Sequence, residues 1–179
     1  MPPLIKGGAV VADRWTLLRE AASPADIPAG IPAIVPLALW RAERAALLAS
    51  GDVGVWLAPT DDPAAIADDL SALLLVAVDF PKFTDGRAYS QAFLLRRRLG
   101  FKGDIRATGD VLIDQLVQMQ RTGFSSAVLK EGVDASAAQR QFDRFAAFYQ
   151  GDAVHVVPHF KEADDMAAYG AELARQESA

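Results

Sequence analysis

The chain has 179 residues, about one ordinary domain, and its 18 Lys plus Arg against 23 Asp plus Glu give a formal charge of −5. With 51% hydrophobic and 23% charged residues the composition is globular, and a chain this long buries roughly 70% of its unfolded surface, enough for a core without staples. It contains no cysteine, which excludes disulfides, thiolate metal sites, cysteine-ligated iron–sulfur clusters and a cysteine nucleophile; acidity without a dense basic patch argues against nucleic acid as the main partner.

The start, Met1-Pro2-Pro3-Leu4-Ile5-Lys6, lacks the charged and apolar regions of a signal peptide. The longest purely apolar run, Ala72–Val78, has seven residues, whereas a membrane helix needs roughly 20. No membrane contact and a cytoplasmic location are the expectations.

Residues 1–20 read as a small β unit: Ile5 precedes a Gly7-Gly8 turn, Ala9-Val10-Val11 follow, and Trp15 to Leu18 add a further strand. Residues 22–32, with Pro24, Pro28, Gly30 and Pro32, form a linker. A βα rhythm then fills 33–150. Apolar runs at Ile34–Leu39, Val53–Ala58 and Leu73–Val78 and strands near Asp104–Ala107 and Ala127–Leu129 alternate with helical segments at 40–49, 63–70, 87–99, 110–121 and 135–149. Asp62 before Pro63 is an N-cap signature. Three helices carry apolar stripes: Ala88, Ala92, Leu95 and Leu99; Leu112, Leu116 and Met119; and Ala138, Phe142, Phe145 and Tyr149. Residues 151–179 are a C-terminal extension ending in a charged, alanine-rich helix.

Continuous apolar strands separated by helices imply a single α/β domain with a mostly parallel sheet of about five to six strands flanked by helices. Right-handed crossovers allow an open doubly wound sheet or a partial barrel. The open sheet is favoured, because a complete barrel typically needs roughly 250 residues.

The common chemical signatures are absent. No two glycines stand at i and i+2, no phosphate loop follows a strand, and no serine occupies a nucleophile elbow. No cofactor is expected on these grounds. His155 and His159, with Pro158 between them, are spaced to share one face of a strand or helix and to bind a metal with Asp152 or Glu162. Pro158 disrupts a helix, however, and no third ligand has clear spacing, so no metal site is expected.

The informative segment is 79–124. In a parallel sheet, ligands sit at the carboxyl ends of strands. The loop Asp79-Phe80-Pro81-Lys82-Phe83-Thr84-Asp85-Gly86-Arg87 follows the most apolar strand, where Lys82 and Arg87 suit an anion and Asp79 and Asp85 orient them. The structural alternative is an Asp-Gly turn and an N-cap, with Phe80 and Phe83 sealing the sheet edge. A second strand end supplies Arg106-Ala107-Thr108-Gly109-Asp110, then Asp114 and Gln115; here Asp110 reads foremost as an N-cap. A third supplies Lys130-Glu131-Gly132. Convergence of all three would give a pocket of Asp79, Lys82, Arg87, Asp110 and Lys130, equally the inventory of an ion-pair cluster. The run Arg96-Arg97-Arg98 reads as a solvated helix face or a docking patch.

The strings Phe80–Ser90 (including Tyr89), Leu94-Leu95-Arg96, Gly100-Phe101-Lys102-Gly103, Arg106–Leu112, Asp114-Gln115 and Arg121-Thr122-Gly123-Phe124 resemble a bacterial domain-of-unknown-function family. Its members are labelled "probable oxidoreductase involved in sulfite reduction" and are encoded beside the haemoprotein subunit of assimilatory sulfite reductase. The opening Pro3-Leu4-Ile5-Lys6 is similar as well, whereas Thr122 stands where many relatives carry cysteine. The resemblance implies a place in sulfur assimilation. Two readings follow: an accessory protein of sulfite reductase that uses the Phe80–Tyr89 loop as an interaction surface, or a small anion-binding enzyme or oxidoreductase that holds an oxyanion with the same loop and Asp110.

Overall fold

A computed structural model of the chain describes residues 2–144, 148–158 and Lys161. β1 (Leu4–Lys6) and β2 (Ala9–Val11) form an antiparallel hairpin about the Gly7-Gly8 turn. β3 (Thr16–Leu17), β4 (Ala33–Pro36), β5 (Val53–Leu57), β6 (Leu75–Phe80), β7 (Asp104–Gly109) and β8 (Ser126–Val128) follow, each parallel to the next. β8 pairs antiparallel with β1, so all eight strands form one sheet in the order β2-β1-β8-β7-β6-β5-β4-β3.

The sheet is therefore larger than the five to six strands expected, and it is mixed. The N-terminal hairpin is no separate unit: β1 offers its second edge to β8, and the alternation of such short strands does not reveal their partner. The strand order also excludes double winding. From β3 to β8 the chain advances one strand at a time with no reversal. Right-handed crossovers that all step one way place every helix on one face.

Connection length shows that the sheet is curled. β2 and β3 lie on opposite edges, yet only Ala12–Trp15 join them. Five Cα steps reach at most about 18 Å, whereas a flat sheet of this many strands is about 34 Å wide. The edges must approach one another, and the connection runs across the concave face.

The convex face packs against α1 (Leu37–Ser50), α2 (Arg87–Phe93) with a π-helical continuation over Leu94–Arg98, α3 (Leu116–Thr122) and α4 (Ala138–Asp143). After β5 the connection is a 3₁₀ run, Pro63–Asp69, capped as expected by the Asp62 side chain accepting from the Ala64 N–H. Val35, Val55, Val76, Val78, Ile105 and Ala107 point from the sheet into this core and meet Ala88, Ala92, Leu95, Leu116 and Met119. The concave face carries a smaller apolar cluster of Ile34, Leu75 and Ala77, covered by Trp15, Leu17 and Trp56.

Two expected helices are shorter in the structure. The segment 110–121 becomes helical with a 3₁₀ turn at Ile113–Gln115 before α3, because the residues after β7 are held by the neighbouring strand ends. The segment 135–149 has α4 only to Asp143; Ala138 is buried, Phe142 half-buried and Tyr149 75% exposed outside any helix, while Phe145 lies outside the described residues. Among the described residues, no helix is long and apolar enough to cross a membrane.

Candidate functional site

The candidate residues fall into an inner and an outer group. Asp79, the penultimate residue of β6, pairs in register with Thr108 of β7, and both side chains are buried on the concave face. Arg19, just beyond β3, reaches Asp79 Oδ1 with Nη2 at 2.6 Å. Thr108 Oγ1 lies 3.4 Å from the same oxygen and 3.2 Å from the Val78 carbonyl. The Arg19 guanidinium also sits over the Trp56 ring, 5.2 Å from its centroid. Burial raises the Asp79 pKa, and the Arg19 charge offsets this only in part. The Trp56 indole lies beside the carboxylate and draws its pKa down, although Nε1 is buried without a well-formed hydrogen bond.

Arg106 was expected with the strand-end cluster. It lies deeper, midway along β7, where Nη1 is 2.8 and 2.9 Å from the Asp13 oxygens, Nη2 is 3.3 Å from Asp104 and Nε is 3.3 Å from Ser126 Oγ. Its role is to pin the Ala12–Trp15 crossing to the concave face.

The outer group forms a rim over the ends of β6, β7 and β8. Asp110 Oδ2 accepts the Phe83 N–H at 3.1 Å, and Lys130 Nζ stands 2.8 Å from Oδ1. Gln115 donates from Nε2 to the Phe83 carbonyl at 2.8 Å and accepts the Leu112 N–H at Oε1. Phe83 is thus gripped through both its backbone groups while its side chain is 51% exposed. Gly109 makes the approach possible: its φ is +96°, and a Cβ there would stand 2.2 Å from the Phe80 carbonyl oxygen. The N-cap reading of Asp110 is corrected accordingly. Its carboxylate bonds across strands to Lys130 and Phe83, which hold its pKa below the ordinary value.

Arg87 pairs with Asp85, with Nη2 2.6 Å from Oδ2 and Nε 3.0 Å from Oδ1, and this contact pulls the Asp85 pKa down to about 2. Asp85 also accepts the Arg87 N–H, but the residue capping α2 is Gly86. Phe80 is fully buried, whereas Phe83 does not seal the sheet. Tyr89 is half-buried against Phe80 and Phe124, with ring centroids 5.1 and 6.3 Å away, and burial raises its phenol pKa. Asp114 is exposed, and Lys82 is exposed without an ion pair among the described residues.

The structure therefore unites Phe83, Asp110, Gln115 and Lys130, sets the Asp85–Arg87 pair along the same loop, and turns Asp79 inward. Arg19, Trp56 and Asp13 were not anticipated. Arg19 lies 60 residues from Asp79 and Asp13 lies 93 residues from Arg106; no local pattern signals such pairings.

Arg96 is a further correction. Instead of joining a solvated face, it turns inward and donates to the carbonyls of Phe101, Gly103 and Gly123. Gly123 has φ +113°, and a Cβ there would lie 2.7 Å from Arg96 Cβ. Elsewhere, Asp152 accepts the Val154 and His155 N–H groups and pairs with Arg121; His159 and Glu162 lie outside the described residues. An apolar cavity of about 370 Å³ lies on the convex side between β1, β8, α3 and α4, lined by Ile5, Leu116, Met119, Phe124 and Phe142 among others. It is across the sheet from Asp79.

The molecule is thus an α/β protein with a singly wound, curled sheet and a charge-braced loop at its carboxyl rim. The family described as "Bacterial protein of unknown function (DUF934)" matches residues 54–160, more than half of the chain, and the chain belongs to that family. No curated protein and no solved structure matches it.

Proposed function

We propose that the chain is an accessory protein of assimilatory sulfite reduction, acting with the sulfite reductase haemoprotein, and that the loop over the ends of β6, β7 and β8 is its interaction surface. The observation that carries this reading is the presentation of Phe83: a backbone fixed from two sides holds an exposed aromatic ring at the rim. Buried aromatic anchors dominate the energetics of protein interfaces, and a pre-ordered one loses little entropy on docking. The haemoprotein as partner follows from the family resemblance.

The same geometry weighs against the alternative, a small anion-binding enzyme or oxidoreductase. Arg19, Arg87 and Lys130 are each paired with a carboxylate that repels an approaching oxyanion, which leaves Lys82 as the loop's cation without an ion pair among the described residues. The experiment is purification of the tagged full chain from its native cells, with cofactor absorbance recorded on the eluate. The docking reading expects the haemoprotein to accompany the wild type and to be lost with Phe83→Ala at unchanged Tm. The anion reading expects sulfite to raise the Tm of the isolated chain and Phe83→Ala to retain any partner.

A further inference from the structure

Residues 81–103 contain six cations (Lys82, Arg87, Arg96, Arg97, Arg98 and Lys102) and one acid, Asp85, on a chain whose net charge is −5. The structure sorts them. Arg96 is spent on backbone carbonyls and Arg87 on Asp85. Lys82, Arg97, Arg98 and Lys102 are exposed and have no ion pair among the described residues. Along α2 and its π-helical turn, Arg87, Ser90, Phe93 and Arg97 face solvent at three- and four-residue spacing, and exposed Phe83 lies in the loop that leads into the helix. Phe93 is 42% exposed and borders a recess of about 370 Å³ between α2 and the end of α3, walled by Tyr89, Leu94, Arg98 and Thr122.

We propose that this outer face of α2 and the π turn docks an acidic protein surface, which places an apolar side chain in the recess beside Phe93. The inference rests on the docking reading above and specifies the chemistry of the partner. Charge complementarity decides the occupant. A face with unmatched cations and exposed aromatics, on an otherwise acidic molecule, selects a partner that is acidic locally. An extended polyanion such as nucleic acid would also meet the rest of the chain, in whose sequence 22 acids outnumber 12 cations.

The test uses the full-length chain, the double variant R97E/R98E and Phe93→Ala, all measured at low and high salt. Two probes are used: a synthetic peptide of glutamates flanking one leucine, and the purified sulfite reductase haemoprotein. The expected result is peptide binding that weakens with salt and falls by about tenfold or more in both variants at unchanged Tm. Equal peptide binding by wild type and R97E/R98E, or none by either, overturns the proposal. So does tighter binding of a single-stranded oligonucleotide, or self-association in sedimentation that R97E/R98E abolishes. If the peptide binds as expected but the haemoprotein does not bind the wild type, the sulfite reductase reading fails and the acidic docking face stands. If the haemoprotein binds and neither variant affects either probe, the reading stands and this face is not the docking site.

Discussion

Arg19→Met isolates the inner pair. The substitution keeps an apolar stem over Trp56 but leaves the Asp79 carboxylate, whose side chain is only 6% exposed, without its cation. Removing one partner of a fully buried pair costs about 3–5 kcal/mol. The Arg19 side chain is 39% exposed, so solvent screening reduces this to about 2 kcal/mol, or about 4–8 °C in Tm for a chain of this size. Asp79→Asn should behave differently. Because burial outweighs Arg19 and raises the Asp79 pKa, the ionised form is held at a cost, and the neutral amide should leave Tm at pH 7 unchanged or slightly higher. The double variant should recover most of the Arg19→Met loss. Thermal melts of the wild type, both single variants and the double variant make the cycle complete. If Arg19→Met and the double variant fall equally, Arg19 acts through its stacking on Trp56 and the electrostatic account of the pair is wrong.

Arg96→Met removes donors from three backbone carbonyls and should destabilise by about 2–4 kcal/mol in urea titrations, whereas Arg97→Ala should not change the midpoint. Arg87→Ala should lower Tm only slightly, since its pair is solvent-exposed and screened, and should return the Asp85 pKa from about 2 toward its ordinary 3.8 in an NMR titration. On acidification, Asp85, Asp110 and Asp152 have folded pKa values below 3.8, so their stabilisation is complete at neutral pH and lost as pH falls below about 4 through those values. Asp79 acts in the opposite sense. Its raised pKa makes the folded chain take up that proton first, so stability from this group rises as pH falls. Unfolding free energies from pH 7 to 3 should therefore decline most steeply below pH 4; a decline centred at pH 5–6 would contradict these assignments.

The sequence made legible whatever is local. The apolar run at Leu73–Val78 is a strand, although it begins at Leu75 and extends to Phe80, and the stripe Ala88, Ala92 and Leu95 is the buried face of α2. Asp62 caps the turn it was expected to cap. Placement of the loop after Asp79 at a carboxyl rim followed from parallel topology alone. Sheet order was not legible, because strands of two or three residues such as Thr16–Leu17 and Ser126–Val128 carry no usable period. Double winding and single winding share one sequence rhythm; the strand order that separates them depends on which edges meet. Nor did charge chemistry distinguish Arg96, which bonds to carbonyls, from Arg97, which faces water one residue later. That difference arises where α2 widens into a π turn.

At the site, the sequence assembled the correct segments but assigned several wrong contacts. Asp110 at a strand end before an apolar stripe has the form of an N-cap, yet its carboxylate is claimed by Lys130 and Phe83 because β8 brings Lys130 alongside. Arg106 finds its partner, Asp13, on the segment that crosses the concave face, and Asp79 finds Arg19 just beyond β3; neither contact is local in the sequence.

The most direct measurement of the central claim is sedimentation velocity of the purified full chain mixed with the sulfite reductase haemoprotein, followed at the haem absorbance. The account predicts a faster-sedimenting haem boundary with the wild type and its loss with Phe83→Ala, a variant that should keep its Tm. A haem boundary that the wild-type chain does not shift at tens of micromolar would contradict it.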